Sequence, residues 1–166
     1  VTEVLMVWLW VRYTRKGQVG WNKALAFGIG FGAVEALLLG LNSAAAVLMA
    51  ILSPDLLGAA AVESLAQGGN LLVSLAPVSE RFFTVLVHIF CNVLLFYGAR
   101  VKQSRFFWLA FIFKSLLDAA AAYAQRSGQL GQPGFGWIIE GVVALFGIIG
   151  YFGIRRVGRK YLALGE

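Results

Sequence analysis

Glu35 lies in an otherwise apolar stretch, Gly28-Ile29-Gly30-Phe31-Gly32-Ala33-Val34-Glu35, with no other charged residue between Lys23 and Asp55. An ionisable side chain at membrane depth costs roughly 2.5–3.5 kcal/mol on insertion scales, so it faces a bundle interior and needs partners there. His88, the only histidine, lies in a second apolar run, and Asp118 lies in a third. A buried glutamate beside an imidazole can act as general base on water, while the imidazole or the Asn92 amide donates to an oxyanion. That chemistry is hydrolysis by an activated water. His88, Glu35 and Asp118 have donor types that zinc accepts, but HExxH spacing is missing and one histidine is thin for zinc. Neither a metal nor a cofactor is expected. Cys91, the only cysteine, falls one turn from His88 without an activating arrangement, which leaves no thiol triad, disulfide or cysteine metal cluster.

These groups must be carried by helices. Gly28 and Gly32 are one turn apart, and Glu35 follows on the same face at i+7 and i+3. A neighbouring helix can therefore come close just where the carboxylate points. The plainer alternative is a glycine packing seam that happens to hold one structural glutamate. Arg81, His88 and Asn92 fall at i, i+7 and i+11, one stripe of a helix, with Thr84 and Cys91 beside it. Arg81 is nearer the outer surface, and Glu80-Arg81 also reads as a helix-start pair. Lys114 and Asp118, four apart, suit an internal ion pair. Glu140 reads either as a partner of the site from the last helix or as an acid near that helix's N-terminus.

The composition says where these helices sit. Of 166 residues, 60% are hydrophobic and 13% charged, with mean hydropathy +0.79. Soluble domains carry about 25% charged residues, so the chain is expected to be an integral membrane protein. Long unbroken apolar runs, in place of short alternating ones, exclude a β-barrel. The fold expected is an all-α polytopic transmembrane bundle in a single domain, 1–166. Because Val1 already lies inside an apolar run, this domain is expected to be the C-terminal part of a longer chain.

About five spanning segments are expected: the tail of one at 1–11, then 24–52, 77–98, 105–125 and 135–154. Residues 24–52 would reach roughly 43 Å as helix against a hydrocarbon core of about 30 Å, so a break at Gly40 or Asn42-Ser43 is expected. Residues 56–66 suggest a short interfacial helix, 71–76 are too few to span, and Pro77 to Glu80 reads as a helix start. Phe106, Phe107 and Trp108 form an interfacial anchor, and 128–134 a polar turn.

Arg12, Arg15, Lys16 and Lys23 fill one connection, Arg100, Lys102 and Arg105 another, and Arg155, Arg156, Arg159 and Lys160 a third. The alternate connections hold Asp55 and Glu63 or a lone Arg126. The positive-inside rule then puts the three basic clusters and the C-terminus in the cytoplasm. The net charge of +6 is thus a topology signal, with the lipid bilayer as partner and no nucleic acid. Counting 1.5 Å per residue from those clusters, Glu35 and His88 lie about 18 Å deep, Asp118 about 20 Å and Glu140 about 22 Å. Four helices place an ionisable group at nearly one level, and we read them as one buried polar site.

Taken together, the glycine-spaced run ending in Glu35, Glu80-Arg81 followed by His88, and Asp118 on the next helix resemble the YhfC-type membrane peptidases. That group stands with the CAAX-prenyl and PrsW-like glutamic intramembrane proteases. The resemblance spans nearly the whole chain, corresponding to the C-terminal two-thirds of such a protein. It implies a prokaryotic plasma-membrane enzyme that cleaves a membrane-embedded peptide with glutamate-activated water and histidine support. Glu35, His88 and Asp118 match the catalytic positions, with Arg81, Asn92, Lys114 and Glu3 in support. Three departures stand out: Glu3 remains of a usual glutamate pair, Phe31 stands where a histidine is common, and Lys114 replaces another. The chain is then a divergent protease or a relative that keeps the scaffold without catalysis. From a different class, the alternative is a non-enzymatic scaffold or transporter-like subunit with a buried polar network.

Overall fold

The computed structural model describes residues 2–14, 19–53, 71–129 and 133–165, the side chains of 71–76 and 133 apart. Five helices make up this part: α1 (Thr2–Tyr13), α2 (Trp21–Leu52), α3 (Leu71–Arg100), α4 (Arg105–Arg126) and α5 (Pro133–Leu162). All but α1 are long and apolar enough to cross a membrane. At 12 residues α1 reaches about 18 Å, in keeping with the tail of a span. The chain is an all-α polytopic membrane bundle.

The helix α3 is its axis. From Val85 to Tyr97 it is apolar on nearly every side, and a helix hydrophobic all round belongs at the centre of a bundle. The most apolar window of α3 is 67% buried, against 17–22% for α2, α4 and α5, which pack around it together with α1. Val87 and Val93 are completely enclosed, and Leu94 and Leu95 nearly so. Contact between α2 and α3 is close because Gly28 and Gly32 have no side chains. A Cβ at Gly28 would lie 2.9 Å from the Ile89 Cα, and one at Gly32 would lie 3.2 Å from the Val85 Cα. Such backbone approach is the use small residues have in lipid, where helices gain little from burying apolar surface against each other.

One end of the bundle gathers the basic residues. The Arg100 guanidinium donates to the Val19 carbonyl at 3.5 Å, and the rings of Trp21 and Tyr97 meet Tyr161 at 5.7 and 5.3 Å. The Lys160 ammonium lies 5.9 Å from the Tyr97 ring centre. The start of α2 and the ends of α3 and α5 therefore share a level, as the charge pattern requires. Arg15, Lys16, Asp55, Glu63 and the interfacial helix expected at 56–66 lie outside the described residues.

Three boundaries differ from the sequence expectation. The helix α2 passes through Gly40, Asn42 and Ser43 without a break, and the Ser43 hydroxyl donates to the Leu39 carbonyl at 3.0 Å. A broken turn in hydrocarbon would leave N–H and C=O groups without water, so residues that end helices in solution stay helical here. The helix α3 begins at Leu71, absorbing the short segment 71–76 and leaving Pro77 inside it. Proline removes one hydrogen bond and crowds the preceding turn, which a membrane bundle tolerates. Finally, α5 runs beyond Ile154 to Leu162, carrying its basic cluster on the helix itself.

Candidate active site

Glu35 and His88 meet. The glycine seam brings α2 onto α3, and the two residues stand next to it, Glu35 one turn beyond Gly32 and His88 with its Cβ 3.3 Å from where a Gly32 Cβ would be. Glu35 Oε2 lies 2.5 Å from His88 Nε2. Both atoms are buried, and neither takes part in a hydrogen bond of normal geometry. The ring itself is enclosed, with 3% exposure, and Phe31 packs against it with centroids 5.6 Å apart and planes tilted by 34°. Phe31 is one of the sequence's departures from the expected histidine pattern, and here it covers part of the imidazole.

The other edge of the ring faces Glu3. Its Oε1 lies 3.9 Å from His88 Nδ1, beyond direct hydrogen-bond reach, and 3.3 Å from the Lys114 ammonium. Glu3, Glu35 and His88 each offer a donor atom, all within 4.8 Å of one another. Sequence reasoning placed Glu3 only in support. Its depth was the available signal, since nine residues from Arg12 put it about 14 Å from the basic end, close to the level of the others.

Asp118 stands one step back. Its carboxylate accepts from the Lys114 ammonium at 2.8 Å, and Lys114 in turn bridges to Glu3. The i,i+4 ion pair read from the sequence is present, and Lys114 is 7% exposed. Asn92, also buried, donates from Nδ2 to the His88 carbonyl at 2.9 Å, so that amide N–H is spent on the backbone of α3 and braces the turn that carries the ring. Arg81 pairs with its chain neighbour: its guanidinium donates to Glu80 at 3.0 Å, and both are about one-third exposed. Glu140 sits two turns into α5 with one carboxyl oxygen buried and no hydrogen bond among the described residues.

Because Lys114 serves two carboxylates, removing it strands both. Breaking a buried pair from one side costs about 3–5 kcal/mol, discounted here to about 2 kcal/mol because both carboxylates are partly exposed. Lys114→Met is therefore expected to lower unfolding stability by about that amount. Adding Asp118→Asn should recover part of the loss, a non-additivity that thermal unfolding of the four proteins in the cycle measures.

The charge balance and the donors also decide what else the cluster accepts. Three carboxyl groups, those of Glu3, Glu35 and Asp118, gather around one ammonium inside the bundle. Two buried ligand atoms, Oε2 of Glu35 and Nε2 of His88, face each other 2.5 Å apart. A divalent cation would satisfy both conditions, and imidazole with carboxylates is a donor set that zinc takes. The residues fit such an ion, with Glu35 and His88 as first holders and Glu3 as the third. Asp118, the sequence's choice for that third position, is engaged by Lys114 instead.

Searches among curated proteins and among solved structures gave no match. The family comparison did: residues 1–143 match the YhfC intramembrane metalloproteases. The run from Glu3 to Glu35, the His88 helix and the Lys114–Asp118 pair all fall within that span, and the chain belongs to this family.

Proposed function

We propose that the chain hydrolyses peptide bonds of membrane-embedded segments, with Glu35 as general base and His88 as its partner. The single observation that carries this reading is the 2.5 Å approach of the Glu35 carboxylate to the His88 ring inside the bundle. Glu35 withdraws a proton from a water, whose oxygen attacks the scissile carbonyl carbon. A ring N–H of His88 donates to the oxyanion that forms. The proton held by Glu35 then passes to the departing amine as the C–N bond breaks. Glu3 lies at the far edge of the ring, and Asn92 braces the backbone turn that carries it. Asp118 acts through Lys114, whose ammonium also reaches the Glu3 carboxylate. The family's description names a metal. A divalent cation held by Glu35, His88 and Glu3 would add Lewis-acid polarisation of the scissile carbonyl and make nearby water more acidic.

The basic end belongs in the cytoplasm, on this reading, with the C-terminus there and the host membrane a prokaryotic plasma membrane. Support comes from Arg100, Lys160 and their neighbours gathered at one level. The Lys114 network is also what a non-catalytic scaffold would keep, so activity must decide. The test is cleavage of a synthetic transmembrane peptide, fluorescent at one end and quenched at the other, by the protein in lipid nanodiscs. Mass spectrometry should place the cut about 12 residues from the peptide's cytoplasmic end, matching a site about 18 Å deep. No cleavage, or cuts only in the flanking polar residues, would contradict the proposal.

A further inference from the structure

The helices α4 and α5 both pack on α3 and touch each other sparingly. Where they meet, the Phe113 and Phe146 ring centroids are 4.9 Å apart, and at the basic end the Lys160 ammonium lies 5.5 Å from the centre of the Phe106 ring. Phe106 and Phe113 stand at i and i+7, so one line of α4 faces α5, with the buried Ala110 and Leu117 on its inner side. On its outer side Arg105, Leu109 and Ile112 form an exposed stripe at i, i+4 and i+7. The helix α5 answers with Ile149, Phe152 and Arg156 at i, i+3 and i+7, and half-buried Lys160 follows one turn on. The four apolar residues of the two stripes are 46–63% exposed. The stripes border a lipid-facing furrow with three cations at its mouth and apolar walls below them.

We infer that this furrow binds an anionic phospholipid, its headgroup phosphate among the three cations and an acyl chain along the walls. The Arg105 guanidinium lies 5.0 Å from the centre of the Phe106 ring that Lys160 also approaches, so two helices gather like charges at one ring. Among the described residues no carboxylate pairs with Arg105, Arg156 or Lys160. Like charges held together repel, and a phosphate between them offsets the repulsion. Basic pockets between transmembrane helices on the cytoplasmic side suit such headgroups, and the guanidinium fork matches phosphate oxygens. A neutral lipid would fit the walls but leave the gathered charges unopposed. A nucleic acid or an acidic protein would meet the cations from the water and leave the walls unused. An anionic lipid satisfies both.

Nothing in this site requires catalysis, so the test reads binding alone. The full chain in neutral detergent is titrated with phosphatidylglycerol or phosphatidylcholine of the same acyl chains, and native mass spectrometry counts the bound lipid. Phosphatidylglycerol should bind about tenfold or more tighter, since each cation near the headgroup contributes roughly fivefold. Arg105→Gln with Lys160→Gln should erase most of that preference, while Arg105→Lys with Lys160→Arg, which keeps both charges, should retain it. Arg12→Gln with Lys23→Gln removes the same charge from α1 and α2 and should also retain it. Equal binding of the two lipids, or an equal loss in both glutamine pairs, overturns the furrow as the site. Displacement of phosphatidylglycerol by inorganic phosphate at matched concentration would make a free anion the ligand and overturns the lipid.

Discussion

Glu35→Gln is expected to lower peptide cleavage by about 10²–10⁴-fold, the usual contribution of a positioned base, with the unfolding midpoint nearly unchanged. Glutamine keeps the size of the side chain and an oxygen for the His88 ring, but it cannot take a proton from water. The side chain is 37% exposed, so the substitution leaves little unpaired in the core. Peptide binding should persist, placing the loss in kcat while KM stays near its starting value. His88 offers a harsher comparison, because its ring is enclosed and packed against Phe31. A truncation there opens a cavity, so its activity loss must be read beside a stability loss, whereas that of Glu35→Gln stands alone.

The second large effect comes from a residue that touches no substrate. Gly28→Leu puts a Cβ 2.9 Å from the Ile89 Cα, a backbone atom that has no rotamer by which to give way. The helix α2 must then withdraw from α3. Overpacking of this kind costs typically about 1–3 kcal/mol. The larger consequence is geometric: Glu35, on the same face as Gly28, withdraws with the helix and the 2.5 Å approach to His88 opens. Displacement of a reacting group by about 1 Å can cost about 10²-fold in rate. Gly40→Leu is the control, since nothing lies within 4 Å of a Cβ there among the described residues. Unfolding in detergent and cleavage in nanodiscs, measured on both variants, should show loss of stability and activity in Gly28→Leu and neither in Gly40→Leu.

Much of this arrangement was legible in the sequence because a membrane helix is a ruler. Fixed rise per residue turned Lys23, Arg100 and Glu35 into depths, and two groups at one depth on neighbouring helices were brought together. The glycine spacing supplied what depth alone lacks, the direction in which Glu35 points. Direction was missing for Asp118. Its level was right, but the lysine one turn away engages it before the ring can, an effect of local spacing that a depth count does not contain. Arg81 shares the His88 stripe by periodicity yet turns to Glu80, its immediate neighbour. Glu3 was understated because α1 is short, and its place between His88 and Lys114 depends on how α1 leans against α3 and α4. The unbroken course of α2 was illegible for another reason: glycine and asparagine carry their helix-ending habit from water, and the bilayer removes the water.

The most direct test of the central claim uses the chain's single histidine. With ¹⁵N-labelled histidine and ¹³C-labelled glutamate carboxyls, dipolar recoupling in lipid reports the distance from the His88 ring nitrogens to the nearest glutamate carboxyl carbon. A hydrogen-bond-length approach predicts a contact within about 4 Å at Nε2, lost in Glu35→Gln and kept in Glu3→Gln, whose carboxylate stands at the Nδ1 edge. No carboxyl carbon within about 5 Å of the ring, or a contact that survives Glu35→Gln unchanged, would contradict the meeting of α2 and α3 chemistry on which the site is built.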